Sequence, residues 1–253
     1  MASEPTEQKQ QETPCQAPDT RPGLDAAHGI LDSASQGEGV RVAFIGDSGG
    51  GKTYAMVRVV EQYLKRTRGC ALIVDDKERV ARFAGQERVD LADVAKRPPQ
   101  PEPRAIVFRG SGMLGKLADP EEVSAYGWRI AASGLPVLVV ADELERAASN
   151  GQWRRGVTWI PRIFGQGRAN GVSMFWGAQS PQMAPLEAFE QSSHMLVFKL
   201  DAMGTQLLER RGYLSSAQAL QVSQFPGVEV QKDKRGFFLL ITRGVGVSGP
   251  YKF

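Results

Sequence analysis

An eight-residue glycine-rich stretch, residues 46–53, constrains this chain more than any other feature of its sequence. It reads Gly-Asp-Ser-Gly-Gly-Gly-Lys-Thr and matches the pattern G-x-x-x-x-G-K-[ST]. A short β-rich run at 40–45 precedes it, and apolar residues with helical spacing follow it over 54–66. Glycines let backbone N–H groups turn towards a phosphate, and the positive end of the following helix attracts the same anion. The stretch therefore predicts a phosphate-binding loop rather than an incidental glycine-rich turn.

The positions of this loop have distinct expected tasks. Lys52 is placed for the β and γ phosphates of ATP, and the Thr53 hydroxyl is placed to bind Mg²⁺. The whole loop is expected to hold the nucleotide, through Gly46, Asp47, Ser48, Gly49, Gly50, Gly51, Lys52 and Thr53. ATP and Mg²⁺ are therefore the expected ligands.

A second motif lies at residues 135–143, where a continuous apolar run ends in Asp142 and Glu143. In enzymes with such a loop, an acid at a strand end holds magnesium, which assigns Asp142 to the metal. A second acid beside it can accept a proton from the attacking water, which assigns Glu143 to catalysis. The alternative is that both acids only open the next helix and interact with its dipole.

Strand patterns alternate with helix patterns after residue 40, which predicts an α/β domain with a mostly parallel sheet. The strand patterns lie at 40–45, 71–74, 105–108, 136–141, 172–177, 195–200 and 237–242. The helix patterns lie at 54–66, 121–133 and 152–168. We expect either 71–74 or 105–108 to lie between the loop-bearing and acid-bearing strands. That arrangement is the RecA-like (ASCE) P-loop NTPase core, the branch that carries a catalytic glutamate.

The strand predicted at 172–177 leads into Gln179. An amide at this point can touch the γ-phosphate or the attacking water, so Gln179 is a further candidate catalytic residue. The alternative is an ordinary surface glutamine, because polar residues commonly follow buried strands.

Residues 1–39 differ in composition from the rest of the chain. The chain holds 31 basic and 28 acidic residues, of which residues 1–39 hold two and seven, so the remainder is clearly basic. The segment is rich in Gln, Pro, Ser and Gly, and it has too few large apolar residues to offset its ordering entropy. We expect an acidic, disordered or extended arm at 1–39 and an ATPase domain at 40–253. The proline-rich residues 97–104 are expected to form an exposed loop.

Several functional classes are disfavoured. The two cysteines, Cys15 and Cys70, fit neither a disulfide framework nor a zinc site, and they favour a reducing compartment. His28 and His194 are isolated, and both are interpreted as non-catalytic. The longest apolar runs fall far short of the roughly 20 residues that span a bilayer.

Taken together, five motifs resemble the FtsK–HerA superfamily of DNA-pumping ATPases over residues 40–243. They are the loop at 46–53, Val74-Asp-Asp-Lys77, Val-Val-Ala-Asp-Glu at 139–143, Gly167-Arg168-Ala-Asn-Gly171-Val-Ser, and Gly177-Ala-Gln-Ser-Pro181. The compact core with a short polar arm is similar to the genome-packaging ATPases of tailless icosahedral viruses with internal membranes.

This resemblance implies an ATP-driven motor that packages viral double-stranded DNA into a capsid. It further implies a homo-oligomeric ring, usually a hexamer, that contacts capsid or vertex proteins and works in the host cytoplasm or with the virion. The alternatives within the superfamily are a plasmid-transfer motor and a protein-assembly ATPase. A different class, a nucleotide-dependent switch with low turnover, is disfavoured by Glu143.

A ring also implies an arginine that reaches the γ-phosphate across a subunit boundary. Arg168 is the first candidate because it lies in the Arg-Ala-x-Gly turn, with Arg162 and Arg210 as alternatives. An ordinary solvated charge is the competing interpretation of Arg168. Arg154 and Arg155 are candidates for contacts to DNA phosphates, or else lie on a solvated helix face.

Overall fold

A ten-stranded sheet runs through the described part of the protein, and the hydrophobic core lies on its two faces. The structure is a computed structural model that describes residues 21–74, 87–90, 93, 104–109, 119–147, 159–228 and 236–253. The strands in these residues are β1 Arg21–Pro22, β2 Arg41–Ile45, β3 Cys70–Val74, β4 Glu87–Asp90, β5 Ala105–Arg109, β6 Val137–Ala141, β7 Val172–Ala178, β8 His194–Val197, β9 Phe237–Thr242 and β10 Gly246–Lys252.

Helices connect most of these strands. They are α1 Gly23–Ile30, α2 Asp32–Ser35, α3 Lys52–Thr67, α4 Pro120–Ala131, α5 Leu144–Ala147, α6 Trp159–Gln166, α7 Leu186–Gln191, α8 Ala202–Arg210 and α9 Ser216–Ser223, with a 3₁₀ turn at Arg168–Asn170. No helix in the described part of the chain is long and apolar enough to cross a membrane.

The strand order is β1-β10-β9-β8-β2-β7-β6-β3-β5-β4. Strand β9 is antiparallel to both of its neighbours, and the other pairings are parallel. This order confirms the predicted α/β class and the mostly parallel sheet.

The strand inserted between the loop-bearing and acid-bearing strands differs from the expectation. Strand β7 pairs with β2 on one side and with β6 on the other. The prediction that 71–74 or 105–108 fills this place is therefore wrong: β3 lies beyond β6, and β5 lies beyond β3. Insertion of one strand, which defines the RecA-like arrangement, is nevertheless present.

Helices cover both faces of the sheet, which explains why its central strands, such as β3, β6 and β7, are buried along their whole length. Side chains alternate along β2, so that Val42 and Phe44 join one core and Ala43 and Ile45 join the other. The first core is covered by α1, α2 and α3. The second is covered by helices α4 and α6–α9.

Residues 21–39 belong to the domain, in contrast to the predicted arm. The helix α1 buries Ala26, Ala27 and Ile30 against α3, and Leu31 is fully buried. Strand β1 adds to the sheet by pairing with β10. The segment is polar in overall composition, but its few apolar residues recur at helical spacing, so they form one buried stripe. The rest of the predicted arm, residues 1–20, and the proline-rich residues 97–103 lie outside the described residues.

We expect Leu31→Ala to lower the free energy of unfolding by about 2–5 kcal/mol, because it removes a fully buried side chain and leaves a cavity. Leu24→Ala is the matched control, since Leu24 lies on the same segment but is 37% exposed. Denaturant unfolding of both variants measures the difference. Equal, small effects would mean that residues 21–39 form a detached arm after all.

Candidate active site

The carboxyl ends of β2, β7 and β6 meet at one edge of the sheet. Ile45 pairs with Ala178, and Ala141 pairs with Trp176, so the three strands end side by side. Residues 46–51 leave β2 at this edge and lead directly into α3. The loop backbone is fixed from outside, because Asp47 N donates to the carbonyl of Lys199 at 2.8 Å.

Two loop glycines hold backbone angles that other residues rarely adopt. Gly49 has a φ of 74°, and Gly51, which caps the N-terminus of α3, has a φ of 92°. These left-handed conformations favour glycine because a Cβ would meet the backbone. Glycines at positions 49 and 51 thus permit the tight turn of the loop between β2 and α3.

Lys52 is buried within this loop. Its Nζ donates to the carbonyls of Gly46 at 2.5 Å and Asp47 at 2.7 Å. Burial lowers the pKa of Lys52, and the carboxylates around it oppose that shift, Asp142 most strongly and Glu145 next. The ammonium is therefore held by the loop's own carbonyls and lies among acids.

Thr53 and Asp142 lie together although they are 89 residues apart in the chain. The Thr53 hydroxyl donates to Asp142 Oδ2 at 3.0 Å. Both groups are oxygen donors, the type that Mg²⁺ takes, usually from one or two protein side chains together with phosphates and waters. No group of three or more His, Cys, Asp or Glu side chains is arranged to hold a metal within the described ranges. The pair therefore fits a magnesium site whose remaining ligands would come from the phosphates of a nucleotide and from water.

Glu143 and Gln179 are also brought together. The Gln179 side-chain Nε2 donates a short hydrogen bond to Glu143 Oε1. The two candidate catalytic residues from β6 and β7 are thus direct neighbours at the edge of the site.

Glu145, which the sequence analysis did not single out, belongs to the same group. Its Oε1 accepts a hydrogen bond from the Gln179 backbone N–H at 3.0 Å. Burial raises its pKa, and the Gln179 N–H bond works in the opposite direction. The sequence does carry a signal for it, since it is a third acid two positions after Glu143.

A cleft of about 600 Å³ opens over the loop. Its lining includes residues 48–53, Asp142 and Gln179. One wall is the face of α3 formed by Tyr54, Val57, Arg58 and Glu61, whose spacing places them on one side of a helix. Val228 also lines the cleft, and its N–H donates to the carbonyl of Gly49 at 3.0 Å. Nothing in the local sequence around Val228 indicates this role.

Arg168 lies away from these residues. It is in the 3₁₀ turn before β7, whereas Gln179 follows the far end of this seven-residue strand, about 20 Å away. Its guanidinium forms an exposed ion pair with Glu38, at 2.9 Å from Nη2 to Oε2. Of the alternatives, Arg162 stacks over Trp128 and Trp159, and Arg210 lies exposed on α8. The predicted DNA contacts Arg154 and Arg155 lie outside the described residues.

The sequence matches no protein-family model and no curated protein. Solved structures do match. The genome packaging NTPase B204 from Sulfolobus turreted icosahedral virus 2, in complex with AMP, aligns with a TM-score of 0.64 at 14% identity, over 85% of this chain and 98% of that one. The DNA-packaging ATPase B204 from Sulfolobus turreted icosahedral virus aligns with a TM-score of 0.61 at 15% identity, over 85% and 98%.

This chain has the fold of these packaging NTPases. The pCW3 conjugation coupling protein TcpA, with ATPγS, aligns with a TM-score of 0.55 at 16% identity, over 86% of this chain and 61% of that one. The predicted P-loop NTPase fold is thus confirmed, and the likeness to these ATPases is one of fold.

Gly177 permits the close approach of β6 and β7 at the site. A Cβ at this position would overlap the carbonyl oxygen of Asp142. We therefore expect Gly177→Ala to separate the two strand ends, lower stability by about 1–3 kcal/mol and weaken nucleotide binding. Unfolding curves and titration with a fluorescent ATP analogue measure the two effects.

Gly165→Ala is the control for this substitution. Gly165 lies on α6, and a Cβ there would meet nothing within 4 Å. Alanine is the better helix former, so the expected change is neutral or stabilising by up to about 1 kcal/mol. Full nucleotide binding by Gly177→Ala would contradict the tight strand contact.

Proposed function

We propose that this chain is an ATP-hydrolysing motor of the FtsK–HerA superfamily that drives double-stranded DNA into a viral capsid. The observation that carries the proposal is that Lys52, Thr53, Asp142 and Gln179 line one cleft, and that Gln179 is hydrogen-bonded to Glu143. These residues come from three different strand ends, and together they match the parts that hydrolysis of a triphosphate needs. The fold likeness to packaging NTPases supports the choice of DNA as the substrate of the motor.

In this mechanism the loop binds the triphosphate through its backbone N–H groups and the start of α3. Lys52 exchanges the carbonyls of Gly46 and Asp47 for the β and γ phosphates. Thr53 and Asp142 would hold magnesium, which would neutralise part of the charge of the phosphates. Neither residue needs to move far, because their oxygens already lie 3.0 Å apart.

Glu143 accepts the proton of the water that attacks the γ-phosphate. Gln179 orients this water or the γ-phosphate. Its side-chain amide also contacts the base directly, through the hydrogen bond to Glu143. Exchange of that bond for a phosphate contact would release the Glu143 carboxylate for catalysis. The site would then respond to the presence of the γ-phosphate.

Arg168 completes the proposed ring mechanism from a neighbouring subunit. It lies too far along β7 to reach the cleft of its own chain. Its ion pair with Glu38 is exposed, and such pairs contribute only about 0–1 kcal/mol. Arg168 can therefore exchange Glu38 for a γ-phosphate across a subunit boundary. A homo-oligomeric ring, with a hexamer as the expected size, is part of this proposal.

A second candidate function is a plasmid-transfer motor. The likeness of the fold to the conjugation coupling protein TcpA favours it. Both candidates hydrolyse ATP and handle DNA, and they differ in the partner that docks the motor. A capsid or vertex protein would serve the first, and a component of a conjugation apparatus would serve the second.

Substitutions in the loop and at the strand end should separate binding from hydrolysis. We expect Glu143→Gln to bind ATP with unchanged affinity but to lower kcat by about 100-fold or more, because it removes the general base. Lys52→Ala should weaken ATP binding by about 10- to 100-fold, since a charge-assisted bond contributes about 1.5–3 kcal/mol. Isothermal titration and a phosphate-release assay measure these effects.

Lys65→Ala is the control for the loop lysine, because it removes an exposed lysine from the same helix. It should leave both quantities unchanged. Intact turnover in Glu143→Gln would mean that another residue is the base.

Double-stranded DNA should stimulate hydrolysis severalfold, and stimulation should fall as salt rises, because a motor for any sequence contacts mainly phosphates. The measurement is phosphate release with and without DNA across a salt series, beside light scattering for the size of the particle. Lack of stimulation by any DNA in a well-folded oligomer would contradict a DNA motor and leave an ATPase with another partner.

A further inference from the structure

Glu145 has a contact that its place in the sequence does not explain. It is the second residue of the short helix α5, and at such a position an acid usually faces solvent. Here the side chain instead turns towards β7, and its Oε1 accepts from the Gln179 backbone N–H at 3.0 Å. The bond joins the segment after the acid-bearing strand to the residue that follows β7.

The second oxygen of the same carboxylate is also unusual. Glu145 Oε2 is buried and has no hydrogen-bond partner among the described residues. A buried oxygen without a hydrogen-bond partner destabilises the folded state, and it does so more strongly when it is charged. A smaller polar residue would avoid this cost, so stability alone does not account for a glutamate here.

The position of the bond gives the carboxylate a specific effect. Gln179 donates through its side chain to Glu143, while its backbone N–H is held by Glu145. The backbone bond fixes where the Gln179 Cα lies, and so fixes the reach of its amide. A glutamine is flexible, and a shift of about 1 Å at a catalytic group can lower a rate by about 100-fold.

We infer that Glu145 is a positioning residue, which sets the Gln179 amide against Glu143 through the Gln179 backbone. The inference rests on the proposed function for its effect on turnover, but the hydrogen bond itself does not. Glu145 touches neither nucleotide nor water in this role, and its positioning effect on turnover passes through Gln179.

Two substitutions separate the reach of Glu145 from its charge. Glu145→Gln keeps an oxygen at the same distance and removes the charge, so it should retain kcat within about threefold, since the neutral bond to the N–H remains. Glu145→Asp keeps the charge but withdraws the oxygen by one methylene, so it should lower kcat about tenfold without weakening ATP binding. The reverse order, with Asp active and Gln inactive, would overturn the inference.

A double-mutant cycle with Gln179→Ala tests whether the effect passes through Gln179. In this background the backbone N–H remains but there is no amide to position, so Glu145→Asp should lower kcat by less than about twofold. A tenfold loss in both backgrounds would show a general structural effect and would overturn the inference.

Amide hydrogen exchange provides a readout that needs no turnover. Exchange of the Gln179 N–H should be faster in Glu145→Asp than in the wild type, and close to the wild-type rate in Glu145→Gln. Glu187→Asp is the matched control, because Glu187 is likewise the second residue of a short helix, α7, and it should leave exchange and kcat unchanged. Unchanged exchange in Glu145→Asp would overturn the inference.

The two readouts also distinguish a failure of the inference from a failure of the proposed function. A wild-type protein without ATPase activity would contradict the proposed function, whereas the exchange rates would still report on the Glu145 bond. Activity in the wild type combined with additive losses in the cycle would contradict only the role of Glu145.

Discussion

The pairing of β7 between β2 and β6 is the constraint on which the rest of the site depends. Parallel strands in register end at one edge, and here they bring Ile45, Ala178 and Ala141 to neighbouring places. The phosphate loop, the acids and Gln179 all follow these ends directly. Because Gly177 lets the chain after β6 approach β7 closely, the acids and the amide lie within hydrogen-bonding range of each other.

The sequence predicted those parts of the fold that local patterns determine. Strands buried on both faces are short apolar runs, so β2, β3, β5, β6, β7, β8 and β9 could be found from these runs in the sequence. The identity of the inserted strand could not, because order in a sheet depends on pairing between segments far apart in the chain. The helices α1 and α2 were missed for a related reason. Their alanines are weakly apolar, and their burial becomes visible only when α3 lies beside them.

The residues of the candidate site likewise fall into those that the sequence could predict and those that it could not. Lys52, Thr53, Asp142, Glu143 and Gln179 could be predicted because each lies in a motif at the end of a predicted strand. Val228 could not, since it reaches the loop from a distant part of the chain by a backbone hydrogen bond that any residue except proline can make. Glu145 could have been predicted as the third acid after β6. However, an acid in the first turn of a helix is usually explained by its interaction with the helix dipole.

The charges around Lys52 support the proposal that this site takes a divalent cation together with a nucleotide. Four carboxylates, those of Asp142, Glu145, Asp47 and Glu143, act on one buried ammonium. A triphosphate adds further negative charge to the same small volume, where charges interact more strongly than in water. One lysine and the loop N–H groups do not balance this excess. A magnesium ion at Thr53 and Asp142 would attract both the Asp142 carboxylate and the phosphates, which otherwise repel each other. Nucleotide and metal should therefore bind together.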